Sequence, residues 1–149
     1  MITKIFPYLN FDGQGQQAAH FYTDVLNAEL SGMVTYGEAH GSDMDMGDLP
    51  EEAKDMVMNA EIILKNGQSF MISDVPPGMG MPSLQSGNNI SLTITTGDIE
   101  EARTLFGKLA EGGEIAMELQ ETFWSPLYGS VTDRFGIEWQ ISVEPETEK

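Results

Sequence analysis

Two neighbouring stretches in the second half of the chain decide the fold: Asn89-Ile-Ser-Leu-Thr-Ile-Thr95 and the segment 99–110. In the first stretch, apolar residues alternate with polar ones, at Ile90, Leu92 and Ile94. This alternation predicts a strand with one apolar face. Asp98 suits a helix N-cap, and Glu101 stands where its capping-box partner is expected. Apolar residues three and four positions apart then predict a helix over 99–110, which Gly112 and Gly113 would end.

The same order of elements occurs twice along the chain. Behind the helix 99–110, the pattern predicts strands at 114–119, 128–132 and 137–143. In the first half it predicts a strand at 3–11, a helix at 16–26, and strands at 28–36, 57–65 and 68–73. Asn27 suits a left-handed helix end, Pro7 favours an edge strand, and Asn66-Gly67 predicts a type I′ hairpin turn. Each half therefore has the order β-α-β-β-β.

These patterns define a single α+β domain over 1–149 that is built from two modules. The first module covers 1–74, a linker rich in Pro and Gly covers 75–88, the second module covers 89–143, and an acidic tail covers 144–149. One long segment, 37–55, carries seven acidic residues and several methionines. A loop of this length without regular structure is usually a lid, a partner-binding segment or a mobile segment. Pro50 predicts a short helical turn within it.

Composition excludes several classes of function. The chain has 7 basic and 24 acidic residues, and its formal net charge is −17. Binding to nucleic acid requires clustered cations that release counterions, and an anionic membrane surface would repel this chain. The 149 residues include no cysteine, which excludes disulfides and thiolate metal sites. No apolar run approaches the ~20 residues of a membrane helix, and the first residues do not form a signal peptide. We therefore expect a cytoplasmic protein with no membrane or nucleic-acid partner.

Several strings of residues are typical of a known family. They are Pro7-Tyr-Leu-Asn-Phe-Asp-Gly13, Ala18-Ala-His-Phe-Tyr22, Asn59-Ala-Glu-Ile-Ile-Leu64 and Thr122-Phe-Trp-Ser-Pro-Leu-Tyr-Gly-Ser-Val-Thr-Asp-Arg-Phe-Gly-Ile-Glu-Trp139. Over nearly its whole length the chain resembles the PhnB-like branch of the glyoxalase, bleomycin resistance and dioxygenase (vicinal oxygen chelate) superfamily. The resemblance implies two tandem βαβββ modules that form a half-open barrel around a ligand cavity. It also implies a homodimer.

The resemblance also locates the positions at which the metal enzymes of this superfamily carry His and Glu. In this chain, those positions hold Pro7 or Tyr8, then Met71, Asn89 and Gln140. A thioether and neutral amides are poor ligands for the usual divalent ions, and Glu138 is the one carboxylate nearby. We therefore expect no metal cofactor. Members of the branch are often described as demethylubiquinone methyltransferases, but no Gly-rich loop that would hold a nucleoside cofactor follows a strand here.

The residues at and near these positions predict a ligand site of a different kind. Neutral amides of Asn59, Asn89 and Gln140 would orient an oxygen-bearing ligand, and Met71, Trp124 and Tyr128 would form its apolar and aromatic wall. Glu61 is a candidate general base if burial raises its pKa. Alternation places Glu61 on the same strand face as Asn59. His20 is expected at the surface, at the polar edge of its helix.

Three functions remain open at this point. The first is binding of a small organic ligand without the usual divalent metal. The second is a metal-dependent lyase, dioxygenase or thiol transferase of the same superfamily, whose displaced site would need Glu61, Glu138 or His40. The third is a protein-interaction module that uses the acidic 37–55 segment. Nucleophilic catalysis by a serine is disfavoured because the chain has no G-x-S-x-G motif.

Overall fold

In a computed structural model, residues 1–40, 49–78 and 80–145 are described, except for the side chain of His40. They form two compact units, Met1–Gln85 and Ser86–Lys149, here called the first and the second module. Each module has the βαβββ order that the sequence predicts, and the α+β fold class is confirmed. The boundaries of the linker and the acidic tail stay predictions.

The first module has one sheet with the strand order β1-β4-β3-β2. Its elements are β1 (Tyr8–Phe11), α1 (Gly15–Val25), β2 (Glu29–Thr35), α2 (Tyr36–His40), a 3-10 turn (Glu51–Ala53), β3 (Val57–Ile63) and β4 (Ser69–Asp74). β1 pairs with β4 in parallel, and the other pairs are antiparallel. Within this sheet β1 is an edge strand directly behind Pro7, as that proline predicts. The predicted strand 3–11 is shorter than expected: residues 3–7 are not part of it, because pairing begins at Tyr8.

The second module repeats this topology with the strand order β5-β8-β7-β6. Its elements are β5 (Leu92–Thr96), α3 (Ile99–Ala110), β6 (Glu114–Gln120), β7 (Tyr128–Thr132) and β8 (Glu138–Val143). β5 pairs with β8 in parallel, while β6 and β8 pair with β7 in antiparallel fashion. β5 starts three residues later than the sequence predicts, so Ile90 is exposed instead of facing the core.

Each helix packs on one face of its own sheet. In the first module, the Tyr22 ring of α1 contacts the rings of Phe11 and Phe70, with centroids 6.4 and 6.0 Å apart. In the second module, a Cβ on Gly129 of β7 would meet the Phe106 ring of α3 at 2.9 Å. Strand residues alternate in direction. The other face of each sheet therefore carries a separate set of side chains.

Local sequence signals explain most of the element ends. Asn27 has a φ of 51° behind α1, which confirms the left-handed position. The Asp98 carboxylate accepts hydrogen bonds from the backbone N–H groups of Glu100 and Glu101, which confirms the N-cap. The capping box itself is not completed, because the Glu101 carboxylate accepts a hydrogen bond from the Thr96 hydroxyl. Glu51–Ala53 confirms the helical turn after Pro50, while residues 41–48 of the acidic segment lie outside the described chain.

The hairpin between β3 and β4 differs in detail from its prediction. Gly67 has a φ of 91°, and Asn27 is the one non-glycine residue with a positive φ in the described part of the chain. A type I′ turn needs two successive residues with positive φ, so that prediction is wrong. The Gly67 N–H donates to the Leu64 carbonyl at 2.9 Å, and the Leu64 N–H donates to the Gln68 carbonyl at 2.7 Å. This arrangement is a type I turn in which Gly67 forms the bulge.

Candidate functional site

The sheet face that points away from the helix is here called the open face of each module. In the first module, Ala60, Ile62 and Ile72 are fully buried. On the same strands, Asn59, Glu61 and Met71 point the other way and are only half-buried. The expectation that Glu61 shares a face with Asn59 therefore agrees with the strand geometry. The Glu61 carboxylate accepts a hydrogen bond from the Ser31 hydroxyl at 3.0 Å.

A small polar cluster occupies the open face of the first module. The side-chain amide of Asn59 donates to the Tyr8 hydroxyl oxygen at 3.0 Å and to the Met71 sulfur at 3.4 Å. Tyr8 and Met71 are direct partners in the parallel pair β1/β4. The structure thus brings together two predicted site residues, Asn59 and Met71, and adds the Tyr8 phenol. Because Asn59 donates in both directions, its carbonyl oxygen remains as an acceptor.

A longer cluster occupies the open face of the second module. The Tyr128 hydroxyl donates to the Gln140 side-chain oxygen at 2.5 Å, and the Gln140 amide donates to the Ser91 hydroxyl oxygen at 2.8 Å. The Trp124 ring meets the Tyr128 ring edge to face, with centroids 5.2 Å apart. The Phe123 ring meets the Trp124 ring in the same way at 4.7 Å. Three predicted site residues, Trp124, Tyr128 and Gln140, are therefore in one continuous cluster.

The loop between β6 and β7 holds Trp124 in place through Ser125. The buried Ser125 hydroxyl lies 2.8 and 2.7 Å from the carbonyl oxygens of Leu127 and Val143, and it can donate to either. It also accepts from the N–H groups of the same two residues. The Ser125 N–H donates to the Thr122 hydroxyl, and the Thr122 N–H donates to the Ser125 carbonyl. Because its hydroxyl is bound to backbone groups, Ser125 shapes the loop rather than acting as a nucleophile. The neighbouring Trp124 side chain is left 47% exposed.

The registers show that the two clusters occupy equivalent positions. Met71 pairs with Tyr8 and Glu61, and Gln140 pairs with Thr93 and Ser130. Met71 and Gln140 are therefore counterparts. Asn59 and Tyr128 are also counterparts, because each lies two residues before the strand partner of Met71 or Gln140 on β3 or β7. The repeated architecture places a hydrogen-bonded pair of side chains at the same two strand positions in each module.

Asn89 is the predicted site residue that the structure leaves apart. It is exposed and lies three residues before β5. Ser91, two residues later, makes the hydrogen bond to Gln140. Sequence reasoning missed Ser91 and Tyr8 as members of the clusters. The strict alternation of 89–95 could have identified Ser91, because Ser91 and Thr93 are the polar residues of the same strand face.

Two aromatic residues that could have lined a pocket instead belong to the core. Trp139 is buried, and its indole N–H donates to the Asp133 carboxylate at 2.8 Å. Phe70 is also buried, in contact with Tyr22. His20 is exposed on α1, as the sequence predicts.

The side chains at the open faces do not fit a conventional divalent metal site. The four superfamily positions carry a phenol, a thioether and two amides, and only hard or imidazole ligands hold such ions firmly. Among the described residues, no group of three or more His, Asp or Glu side chains could hold a metal ion. Glu61 and Glu138 belong to different modules. The side chain of His40, the third candidate ligand, lies outside the described chain. Within the described part of the chain, we therefore derive no metal-dependent step.

A buried carboxylate occupies the place where a nucleotide-like cofactor would bind in many strand-turn-helix units. Asp74 Oδ1 accepts hydrogen bonds from the N–H groups of Gly13 and Gly15, both at 2.9 Å, and Asp74 Oδ2 accepts from the Val57 N–H at 2.8 Å. A Cβ on Gly15 would lie 2.6 Å from Asp74 Oδ2. The Gly13 amide of the turn and the first amide of α1, that of Gly15, are thus already bound within the chain. This turn therefore does not fit the nucleoside cofactor of a methyltransferase.

The first module also has a separate cleft. Its volume is about 510 Å³, and the residues around it include Gln16, Glu38 and Lys54. The predicted site residues do not line it. Its polar side chains already have partners within the chain. Gln16 donates to the Asp55 backbone carbonyl, Lys54 lies 2.7 Å from the Glu51 carboxylate, and Glu38 accepts from the Thr35 hydroxyl. We therefore place the candidate site on the open faces.

Comparison with known proteins identifies the family. A family model described as 3-demethylubiquinone-9 3-methyltransferase matches residues 3–142. The chain belongs to this family. It is 33% identical over 144 residues to the protein YjdN of Escherichia coli K12, covering 92% of each chain. The PhnB-like resemblance is thereby confirmed.

Solved structures agree with this assignment to the PhnB-like family. Protein PA1353 of Pseudomonas aeruginosa is 31% identical, with a TM-score of 0.82 over 97% of this chain and 100% of that one. The PhnB protein of Bacillus cereus is 29% identical, with a TM-score of 0.74 over 95% and 99%. A glyoxylase/bleomycin resistance protein/dioxygenase domain from Frankia is 14% identical with a TM-score of 0.64 and shows the shared fold alone. In the described residues, no helix has the length and apolarity to span a membrane.

Proposed function

We propose that this PhnB-like chain binds a small organic molecule on the open face of its second module and does so without a divalent metal. The observation that carries the proposal is the continuous series of side chains from Trp124 through Tyr128 and Gln140 to Ser91. It joins an exposed aromatic surface to a set of oriented hydrogen-bonding groups. Ligand sites typically combine these two features.

The aromatic end of the cluster supplies contact area. Trp124 contacts Tyr128 edge to face but is still 47% exposed, so part of its ring surface is available for stacking. Burying an aromatic ring against such a surface is favourable by roughly 25 cal/mol per Å² of apolar area. The hydrogen bonds of Ser125 fix the loop backbone next to Trp124. A pre-formed aromatic surface loses little side-chain entropy on binding.

The polar end of the cluster supplies orientation. The Tyr128 hydroxyl donates a hydrogen bond to Gln140, so the phenol oxygen remains an acceptor for a ligand. Ser91 accepts from Gln140, so the serine proton remains a donor. One acceptor and one donor at fixed positions would select a ligand that has both kinds of group.

Metal independence is part of the proposal, and the donor chemistry supports it. The positions equivalent to superfamily metal ligands carry neutral amides and a thioether, which are weak ligands for hard or borderline divalent ions. The methyltransferase activity in the family's description finds no support in the residues, because Asp74 already binds the Gly13 amide of the turn and the Gly15 amide that begins α1. We propose binding rather than methyl transfer.

A fragment screen tests this function. Neutral and charged aromatic fragments would be scored by the intrinsic fluorescence of Trp124 and by thermal shift, with EDTA present throughout. Trp139 is buried and bound to Asp133, so the Trp124→Phe variant supplies the background signal. We expect hits whose affinity falls about tenfold in Tyr128→Phe, since one oriented hydrogen bond is lost.

The matched control for this variant is Tyr8→Phe, which removes the phenol from the equivalent cluster of the first module. Equal losses in both variants would contradict a site on the second module. A requirement for added Zn²⁺, Ni²⁺ or Mn²⁺ would contradict metal independence. If the screen finds no ligand whose binding depends on Trp124 and Tyr128, the proposed function is wrong.

The assembly and compartment of the chain remain proposals that follow from the family resemblance. We propose a cytoplasmic homodimer that binds neither nucleic acid nor membranes. Light scattering coupled to gel filtration tests the dimer directly. A monomeric mass at micromolar concentration would contradict it.

A further inference from the structure

The aromatic surface of the second module extends beyond Trp124 toward solvent. Phe123 is 97% exposed and meets Trp124 at an interplanar angle of 81°, while Trp124 meets Tyr128 at 69°. Edge-to-face contacts leave ring faces uncovered. An uncovered ring face attracts either another ring or a cation, because its π electrons present negative potential.

The charges around this surface have a single sign. The four strands of the second module and the loop 121–127 contain four glutamates and no lysine or arginine. These glutamates are Glu114, Glu118, Glu121 and Glu138. Glu138 precedes Gln140 by two residues on β8 and therefore shares its strand face. An anionic ligand would meet no counter-charge on these strands or on the loop.

The described cations of the second module lie elsewhere. Arg103 and Lys108 are on α3, which packs on the opposite face of the sheet. Arg134 is at the β7–β8 turn, where its guanidinium donates to the Glu111 carbonyl at 3.1 Å and lies 3.8 Å from the Glu111 carboxylate. These positions leave the open face with a negative potential.

The hydrogen-bonding pattern favours the same kind of ligand. The Tyr128 hydroxyl donates its hydrogen bond to Gln140, so on the residue whose ring contacts Trp124 the hydroxyl oxygen is left as an acceptor. A protonated amine can donate to this oxygen while its positive charge lies near an aromatic face. A carboxylate at the same place would face a lone pair and the negative side of a ring.

Three observations bear on the ligand: the contacting rings of Phe123, Trp124 and Tyr128, the Tyr128 hydroxyl as an acceptor, and the glutamates of the strands and loop. From these we infer that the ligand of this site is a small aromatic amine, bound as its cation. This inference rests on the proposed function and names its ligand class. The aromatic ring of the ligand stacks on Trp124. Its ammonium group lies near the Tyr128 hydroxyl and the carboxylates of Glu121 and Glu138.

Three probes of nearly equal shape test the inference: tyramine, 2-(4-hydroxyphenyl)ethanol and 3-(4-hydroxyphenyl)propionate. Their affinities for the full chain would be measured by Trp124 fluorescence and calorimetry at low salt. We expect tyramine to bind at least about tenfold more tightly than the propionate, with the neutral alcohol between them. We also expect the tyramine affinity to weaken as NaCl rises, because salt screens the glutamates.

Two glutamine variants separate the charge effect from the shape of the site. Glu138→Gln and, independently, Glu121→Gln should lower tyramine affinity about two- to fivefold and leave the affinity for the neutral alcohol unchanged. 2-Cyclohexylethylamine, a cation without an aromatic ring, should bind more weakly than tyramine.

The possible failures of the two proposals are distinct. Binding of the propionate as tightly as tyramine, or unchanged tyramine affinity in both glutamine variants, would overturn the ligand class while the site itself stands. If none of the three probes binds, the ligand class is also overturned. The proposed function falls only if the broader fragment screen finds no ligand that depends on Trp124 and Tyr128.

Discussion

The buried Asp74 carboxylate offers the sharpest test of how the first module is held together. Asp74 is 1% exposed and accepts the N–H groups of Gly13, Gly15 and Val57. These contacts join the end of β4 to the turn before α1 and to the start of β3. The Tyr36 hydroxyl also donates to the Asp74 carbonyl at 3.1 Å. We predict that Asp74→Asn destabilises the chain strongly.

The size of the effect follows from the geometry. The amide oxygen of an asparagine can replace Asp74 Oδ1 and keep the Gly13 and Gly15 contacts, but as a neutral acceptor that binds less strongly than a carboxylate. Its NH₂ group would then face the Val57 N–H, so this buried donor loses its partner at a cost of about 1–3 kcal/mol. Removal of a buried charge offsets part of the loss. We expect the free energy of unfolding to fall by about 2–4 kcal/mol.

The measurement is urea unfolding followed by far-UV circular dichroism at pH 7. Both tryptophans belong to the second module, so fluorescence alone would miss a change confined to the first. The control is Asp12→Asn, an exposed neighbour with the same change of charge, which should stay within about 0.5 kcal/mol of wild type. An Asp74→Asn midpoint equal to that of Asp12→Asn would refute the structural role of the carboxylate.

Three further predictions concern pH and packing. Burial raises the pKa of Asp74 more than its three N–H donors lower it, and Asp12 raises it further; the native chain therefore keeps this proton to higher pH than the unfolded chain. Stability relative to Asp74→Asn should fall as pH rises from about 4 through the folded pKa, and a curve that rises over this range would contradict the shift. Asp98→Ala should cost about 1 kcal/mol in thermal unfolding, because two backbone donors of α3 lose their cap. Gly129→Ala should lower the free energy of unfolding by about 1–3 kcal/mol, since its Cβ would lie 2.9 Å from Phe106. The matched variant Gly107→Ala, whose Cβ meets no neighbour within 4 Å, should raise the free energy of unfolding by about 0.5–1 kcal/mol.

The repeat of elements could be predicted because local patterns determine it. Alternation, helical spacing and the Asp98 cap each act within a few residues, and the structure confirms the order of strands and helices. The details that were wrong depend on competition between partners. The Glu101 carboxylate could accept from either the Asp98 N–H or the Thr96 hydroxyl, and in the structure it accepts from the hydroxyl. Asn66-Gly67 is compatible with two hairpin types, and the register of β3 with β4 selects the one with a Gly67 bulge.

The site was predictable only in part, for a similar reason. Residue types pointed to Asn59, Met71, Trp124, Tyr128 and Gln140, and the structure gathers them into one cluster in each module. Which side chains complete the clusters depends on strand register, which a single sequence does not reveal. The late start of β5 therefore brings Ser91, rather than Asn89, to Gln140.

The difference between the two equivalent clusters explains why we place the ligand on the second module. In the first module, the central Asn59 donates to both neighbours, and the Met71 sulfur is a weak acceptor that adds little orientation. In the second module, Tyr128 and Gln140 form a directed chain of hydrogen bonds that ends at Ser91 and begins at an exposed aromatic surface. Two copies of one architecture thus carry different chemistry at matching strand positions. Since fold alone does not define function, the residues that differ between the modules are the ones to vary first.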